Sequence, residues 1–203
     1  VKEPKHNLSA HLKWGIEIKE LEKEYKLNRI KYETFRDKMN QAFGKDLSSQ
    51  IKMYFIADTG QKNTKKRFNY CGTEFYTLLV FYNNRLLYYI LQTPELAKDV
   101  HYKSPDCFRN TIFGKDKMPD EWFNLARDIW HHMAVGRYGE DENSYFYQMI
   151  STGESKSPPD YYQYSYFLFD REQVDALLKT SRFLRSFEIN RHPTRVFTSY
   201  FYR

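Results

Sequence analysis

The sequence predicts an α+β domain, a mixed or antiparallel sheet of about five to seven strands with three or four helices, organised as a single domain over residues 1–203. Three observations lead there. Short runs of two-residue hydrophobic alternation are interspersed with runs of helical spacing. Two β-rich runs flank an Asn-Asn pair, the signature of a tight hairpin. No repeat or regular strand–helix–strand array runs through the chain.

Taken in order, Ala10, Leu12, Trp14, Ile16 and Ile18 alternate with polar neighbours, the pattern of a half-buried strand. Beyond Glu20 the period changes: Tyr32, Phe35, Met39, Ala42 and Phe43 recur at helical spacing, with Gly44 as a C-cap. "QIKMYFIAD" predicts a second strand. After the basic turn "QKNTKKR", "EFYTLLVFY" and "RLLYYILQ" predict a hairpin about Asn83 and Asn84, a buried helix being the alternative. Thr93 as cap and Pro94 at the first position predict a short helix.

The clearest helical pattern is "MPDEWFNLARDIWHHMAVG", residues 118–136, with Trp122, Leu125, Ala126, Ile129 and Met133 on one stripe and Gly136 as its end. "SYFYQMI" predicts a strand, and residues 151–160, with Gly, Ser and paired Pro, a mobile loop. "YYQYSYFLF" predicts another strand. Asp170 then caps a helix over 171–187, with Gln173 completing a capping-box pattern. "TRVFTSYFY" predicts a final strand.

Composition narrows the function classes. A chain of 203 residues can bury roughly 70% of its unfolded surface and needs no staple to fold. With 18% aromatic residues, 18 Tyr and 16 Phe among them, it is not a disordered segment. Cys71 and Cys107 have no second thiol at zinc-ligand spacing and are too few for a disulfide scaffold, which favours a reducing compartment. No apolar leader is visible in "VKEPKHNLSAHLK", and Asn83, Asn84 and Arg85 interrupt the longest apolar neighbourhood. A soluble intracellular protein without a membrane span is expected.

The formal net charge is +6. It is uneven: residues 1–72 carry 16 Lys/Arg against 9 Asp/Glu, residues 73–160 carry 9 against 13, and residues 161–203 carry 7 against 4. Two basic ends around an acidic middle point to nucleic acid or another polyanion as partner. Cations lie beside aromatics in "KKRFNY", "RFLR" and "RHPTRVFTSYFYR". Single strands are bound by that mixture, rings stacking on bases and cations neutralising phosphates. The expected contacts are Lys65, Lys66, Arg67, Arg182, Arg185, Arg191 and Arg195 for phosphates, and Phe68, Tyr70 or Phe183 for stacking. This makes the chain a non-catalytic RNA- or single-stranded-DNA-binding protein or assembly component. A protein-interaction subunit is the alternative, and no cofactor or metal is expected.

An enzymatic alternative rests on Arg127, His131 and His132, a set placed on the helical pattern of 118–136. Arg127-x4-His132, with Asp128 following the arginine, resembles the motif of HEPN ribonucleases, and Arg185 to His192 is a looser match. The resemblance implies metal-independent RNA cleavage through the ribose 2′-hydroxyl. Without catalysis, histidines in a last helical turn simply complement the helix dipole. Asp58-Thr59-Gly60 resembles the aspartic-protease motif but reads more simply as a turn. Glu17 and Lys19 resemble the E-x-K half of PD-(D/E)xK nucleases, or the alternating charge of an exposed strand.

Overall fold

The computed structural model describes residues 12–30, 49–60, 64–94, 105–113, 123–127, 133–152 and 162–180. They form β1 (Leu27–Ile30), β2 (Ile51–Ile56), β3 (Arg67–Tyr70), β4 (Thr73–Tyr82), β5 (Arg85–Gln92), β6 (Phe123–Arg127), β7 (Met133–Glu140), β8 (Ser144–Thr152) and β9 (Tyr162–Asp170). The helices are α1 (Ile18–Leu21), α2 (Pro105–Phe113) and α3 (Arg171–Thr180). The strands make one sheet in the order β1-β2-β4-β5-β9-β8-β7-β6, with β3 also on β4, and every named pair is antiparallel.

The expected α+β class is therefore corrected. Among the described residues the molecule is a 9-stranded antiparallel sheet with helices of 4, 9 and 10 residues. The largest departure lies in residues 118–136. There β6 and β7 are antiparallel partners, with Phe123 opposite Gly136 and Arg127 opposite Met133. Gly136 is no helix cap; it sits inside β7, opposite Met149 of β8. An apolar residue every third or fourth position fits a helix, but it does not register the partner strand that takes the backbone hydrogen bonds.

The opening alternation also misleads. Glu17 is the N-cap of α1, its carboxylate and that of Glu20 forming a reciprocal capping box, and the segment meets the strand ladder through a bridge to Arg85. Its apolar residues are used as a cover. Leu12, Ile18, Leu21 and Tyr25 pack on one face of the sheet, here face A. Trp14 lies beside Tyr89 and donates its indole N–H to Ser144 Oγ at 2.8 Å. The helix expected after Glu20 cannot begin before β1 ends, and its residues 31–48 lie outside those described. So do residues 95–100 of the short helix expected after Thr93; the Thr93 hydroxyl accepts the Tyr164 backbone N–H at 3.0 Å.

The hairpin about Asn83 and Asn84 forms β4 and β5. Both asparagines have positive φ, 49 and 65, the pairing that a type I′ turn needs and that matches the twist of its strands. Cys71 and Gly72, φ 54 and 76, make the same turn between β3 and β4. β8 extends to Thr152 by pairing Ser151 and Thr152 with Gln163 and Tyr162, so the expected mobile loop 151–160 starts too early. Residues 153–160 lie outside those described.

Both faces of the central strands are dry. On face A, Phe75, Phe81, Tyr164 and Tyr166 meet the cover from the N-terminal segment and Phe113 of α2. On the opposite face, B, Val174, Leu177 and Leu178 of α3 pack with Tyr88, Tyr147, Phe167 and Phe169. Their i, i+3, i+4 spacing puts them on one helix face. Asp170 caps α3 as expected, accepting the Glu172 N–H at 3.1 Å and the Gln173 side-chain amide at 2.7 Å. Each fully buried ring contributes roughly 1.5–3 kcal/mol relative to exposure, which makes the two-sided aromatic core the main source of stability.

Candidate nucleic-acid interface

β4 positions the basic cluster. β2 pairs with its residues 78–82 and β3 with residues 73–76, while β5 occupies the other edge. β2 and β3 are thus successive stretches along one edge of β4. Between them the chain leaves the sheet after Ala57 and rejoins it at Lys65, the two joined by an antiparallel bridge. Asp58 N–H donates to Thr64 O and Lys66 N–H to Ile56 O, both at 2.8 Å. The Asp58 carboxylate accepts the Gly60 N–H at 2.9 Å. Asp58-Thr59-Gly60 is therefore a turn closed by its own aspartate.

Strand alternation separates the three cations. The Lys66 ammonium lies over Tyr25 at 5.4 Å and Phe68 at 5.5 Å. Lys65 and Arg67 point to face B, each 5.7 Å from the Tyr76 ring. Arg67 also donates to Glu74 Oε2 at 2.7 Å. That hydrogen bond, with the charge of Glu74, raises the guanidinium pKa.

The expected stacking rings are displaced. Phe68 and Tyr70 are only 4% and 8% exposed, their side chains inside the face A core. They pack; a base cannot reach them. On face B the partly exposed rings among the described residues are Phe55, Tyr76 and Tyr82, while Trp14 and Tyr54 are partly exposed against the face A core. Phe55 is opposite Leu78, Ile51 opposite Tyr82, and Arg67 opposite Tyr76, so all three rings share face B of β2 and β4. Ile51, Met53 and Leu78, also partly buried, lie between them. The alternation of β4 was legible in the sequence; which of its faces was already covered was not, because Tyr25 and Leu21 arrive from a distant segment.

Arg182, Arg185, Arg191 and Arg195, with Phe183, lie outside the described residues, as do His131 and His132. Arg127 is the last residue of β6. The helix expected to carry Arg127 is thus corrected to a strand end. Glu17 and Lys19 belong to the cap and first turn of α1, which removes the strand geometry of the E-x-K nuclease pattern. Among the described residues no group of three or more His, Cys, Asp or Glu is arranged to hold a metal ion.

The two cysteines form a disulfide, Cys71–Cys107. The pairing takes up the single bridge that two cysteines permit. No described helix is long and apolar enough to cross a membrane. No protein-family model, curated protein or solved structure matches the chain.

Proposed function

We propose that the chain binds single-stranded nucleic acid on face B of β2 and β4, Tyr76 stacking on a base while Lys65 and Arg67 hold the flanking phosphates. The observation that carries this reading is the placement of Tyr76, partly exposed between two cations on an extended sheet face. Phe55 and Tyr82 continue the row of rings along the same face, as a binding site for successive unpaired bases requires. Glu74 offsets part of the charge of Arg67, so affinity is modest and Lys65 is the stronger phosphate contact.

The test is titration of a fluorescent oligouridylate or oligothymidylate at increasing salt. Binding is expected at low salt with a log–log slope set by a few phosphates. Tyr76→Ala is expected to weaken it about 5- to 100-fold, the range for one stacked base. Lys65→Glu should flatten the slope by about one unit. No binding at about 50 mM salt, or equal affinity in Tyr76→Ala, overturns the reading. A polypeptide ligand is the second reading, favoured by the aliphatic strip of Ile51, Met53 and Leu78 between the rings.

A further inference from the structure

Helix α2 is nine residues long, shorter than the ~12–15 residues at which an isolated helix becomes even marginally stable. Its persistence depends on what ties it to the sheet. Among the described side chains the ties are an apolar contact at its C-terminal end, a disulfide in its first turn, and the Thr111 hydroxyl against Cys71 Sγ at 3.4 Å. At its C-terminal end Phe113 is buried against Phe146 and Tyr166, ring centres 5.1 and 5.4 Å away, with Ile112 beside the same core. In its first turn Cys107 is bonded to Cys71. Asn110 and Thr111, between them, are exposed.

The other end of the disulfide stands on a turn that holds itself. Tyr70 pairs with Thr73, and Asn69 Oδ1 accepts the Gly72 N–H at 3.0 Å. Cys71 occupies a left-handed position, φ 54, where Gly or Asn is the residue of least strain and a cysteine β-carbon is disfavoured. The backbone of the turn gains nothing from a thiol, so the sulfur is what the position supplies. Cys107 is exposed and Cys71 half-buried, which leaves the bridge open to a reductant from the helix side.

We propose that Cys71–Cys107 is a redox latch: its reduction on the folded protein releases helix α2 from face A and uncovers Phe146 and Tyr166, while the sheet stays intact. A thiolate of a dithiol reductant attacks Cys107 Sγ, the S–S bond breaks, and Cys71 leaves as a thiolate that takes up a proton. The second thiol of the reductant then displaces Cys107, so the reductant leaves oxidised and the protein holds two thiols. The Thr111 hydroxyl, 3.4 Å from Cys71 Sγ, is placed to donate a hydrogen bond to the departing sulfur. The released helix, held among its described side chains chiefly by Phe113 and Ile112, unfolds locally.

The experiment is hydrogen exchange by mass spectrometry on the native protein with and without dithiothreitol, the thiols counted by alkylation and intact mass. Two thiols are expected without denaturant. Amide exchange over residues 105–113 should speed up about tenfold or more, with β5 and β9 unchanged. The Cys71→Ser, Cys107→Ser double variant should show the reduced pattern without any reductant. The proposal is overturned if the bridge resists the dithiol until the protein is unfolded, if exchange in α2 is the same in both states, or if β5 and β9 loosen together with α2.

Discussion

Tyr70 turns its ring into face A, edge-on to Phe75 at 5.4 Å, with its hydroxyl buried and without a hydrogen-bond partner among the described residues. Burial, with the nearby Tyr25 second, pushes the phenol up to about 12 from an ordinary value of 10.0. Burial likewise raises Tyr88, Tyr89, Tyr145 and Tyr164. A raised native pKa means that the unfolded chain loses its proton first. The stabilisation is therefore complete below about pH 10 and declines as pH rises towards the native value. Urea unfolding should accordingly give a stability that falls steeply above about pH 10. Tyr70→Phe deletes an unsatisfied hydroxyl and its ionisation together. At neutral pH its stability should lie within about 1 kcal/mol of the parent, and its decline between about pH 10 and 12 should be shallower. An unchanged alkaline slope would show that the ring is not held dry.

At the scale of elements, the β4–β5 hairpin depends on two positive-φ asparagines. Asn83→Ala should cost about 1–2 kcal/mol in a denaturant titration, because a β-carbon is strained there. Asn83→Gly should stay within a few tenths of a kcal/mol of the parent, separating backbone strain from lost side-chain contacts. This hairpin was legible because turn chemistry is local: the two residues that need an unusual backbone are adjacent in the sequence. The Asp170–Gln173 start of α3 was legible for the same reason. β6 and β7 were not, because their identity lies in registers, β6 on β7 and β7 on β8, that no local period encodes. The N-terminal alternation failed differently. Trp14, Ile16 and Ile18 do face the core, but as a covering segment rather than a ladder strand, and hydrophobic period reports burial, not hydrogen bonding.

Across the whole molecule, strand order predicts where the fold opens. β5 and β9 lie in the middle of the sheet with both faces covered, whereas β1 and β6 end the strand order. Native-state exchange should rank them so, with β5 and β9 opening only at the global unfolding free energy and β1 and β6 opening first. Uniform protection across the sheet would contradict this. The candidate interface follows the same gradient: β4 touches the rigid centre through β5, while β2 carries Phe55 towards the margin. Basic character near residue 65 was legible in composition, but the split of Lys65 and Arg67 from Lys66 follows only from pleat and pairing. The departure of the chain between β2 and β3 has a consequence for its history. Because Ala57 and Lys65 bridge the two ends, residues can be gained or lost between them without shifting any side chain to the opposite face. Closing a longer excursion costs only about 0.6 kcal/mol per doubling of its length. That point on the chain is where relatives of this protein can differ in length while keeping the same sheet.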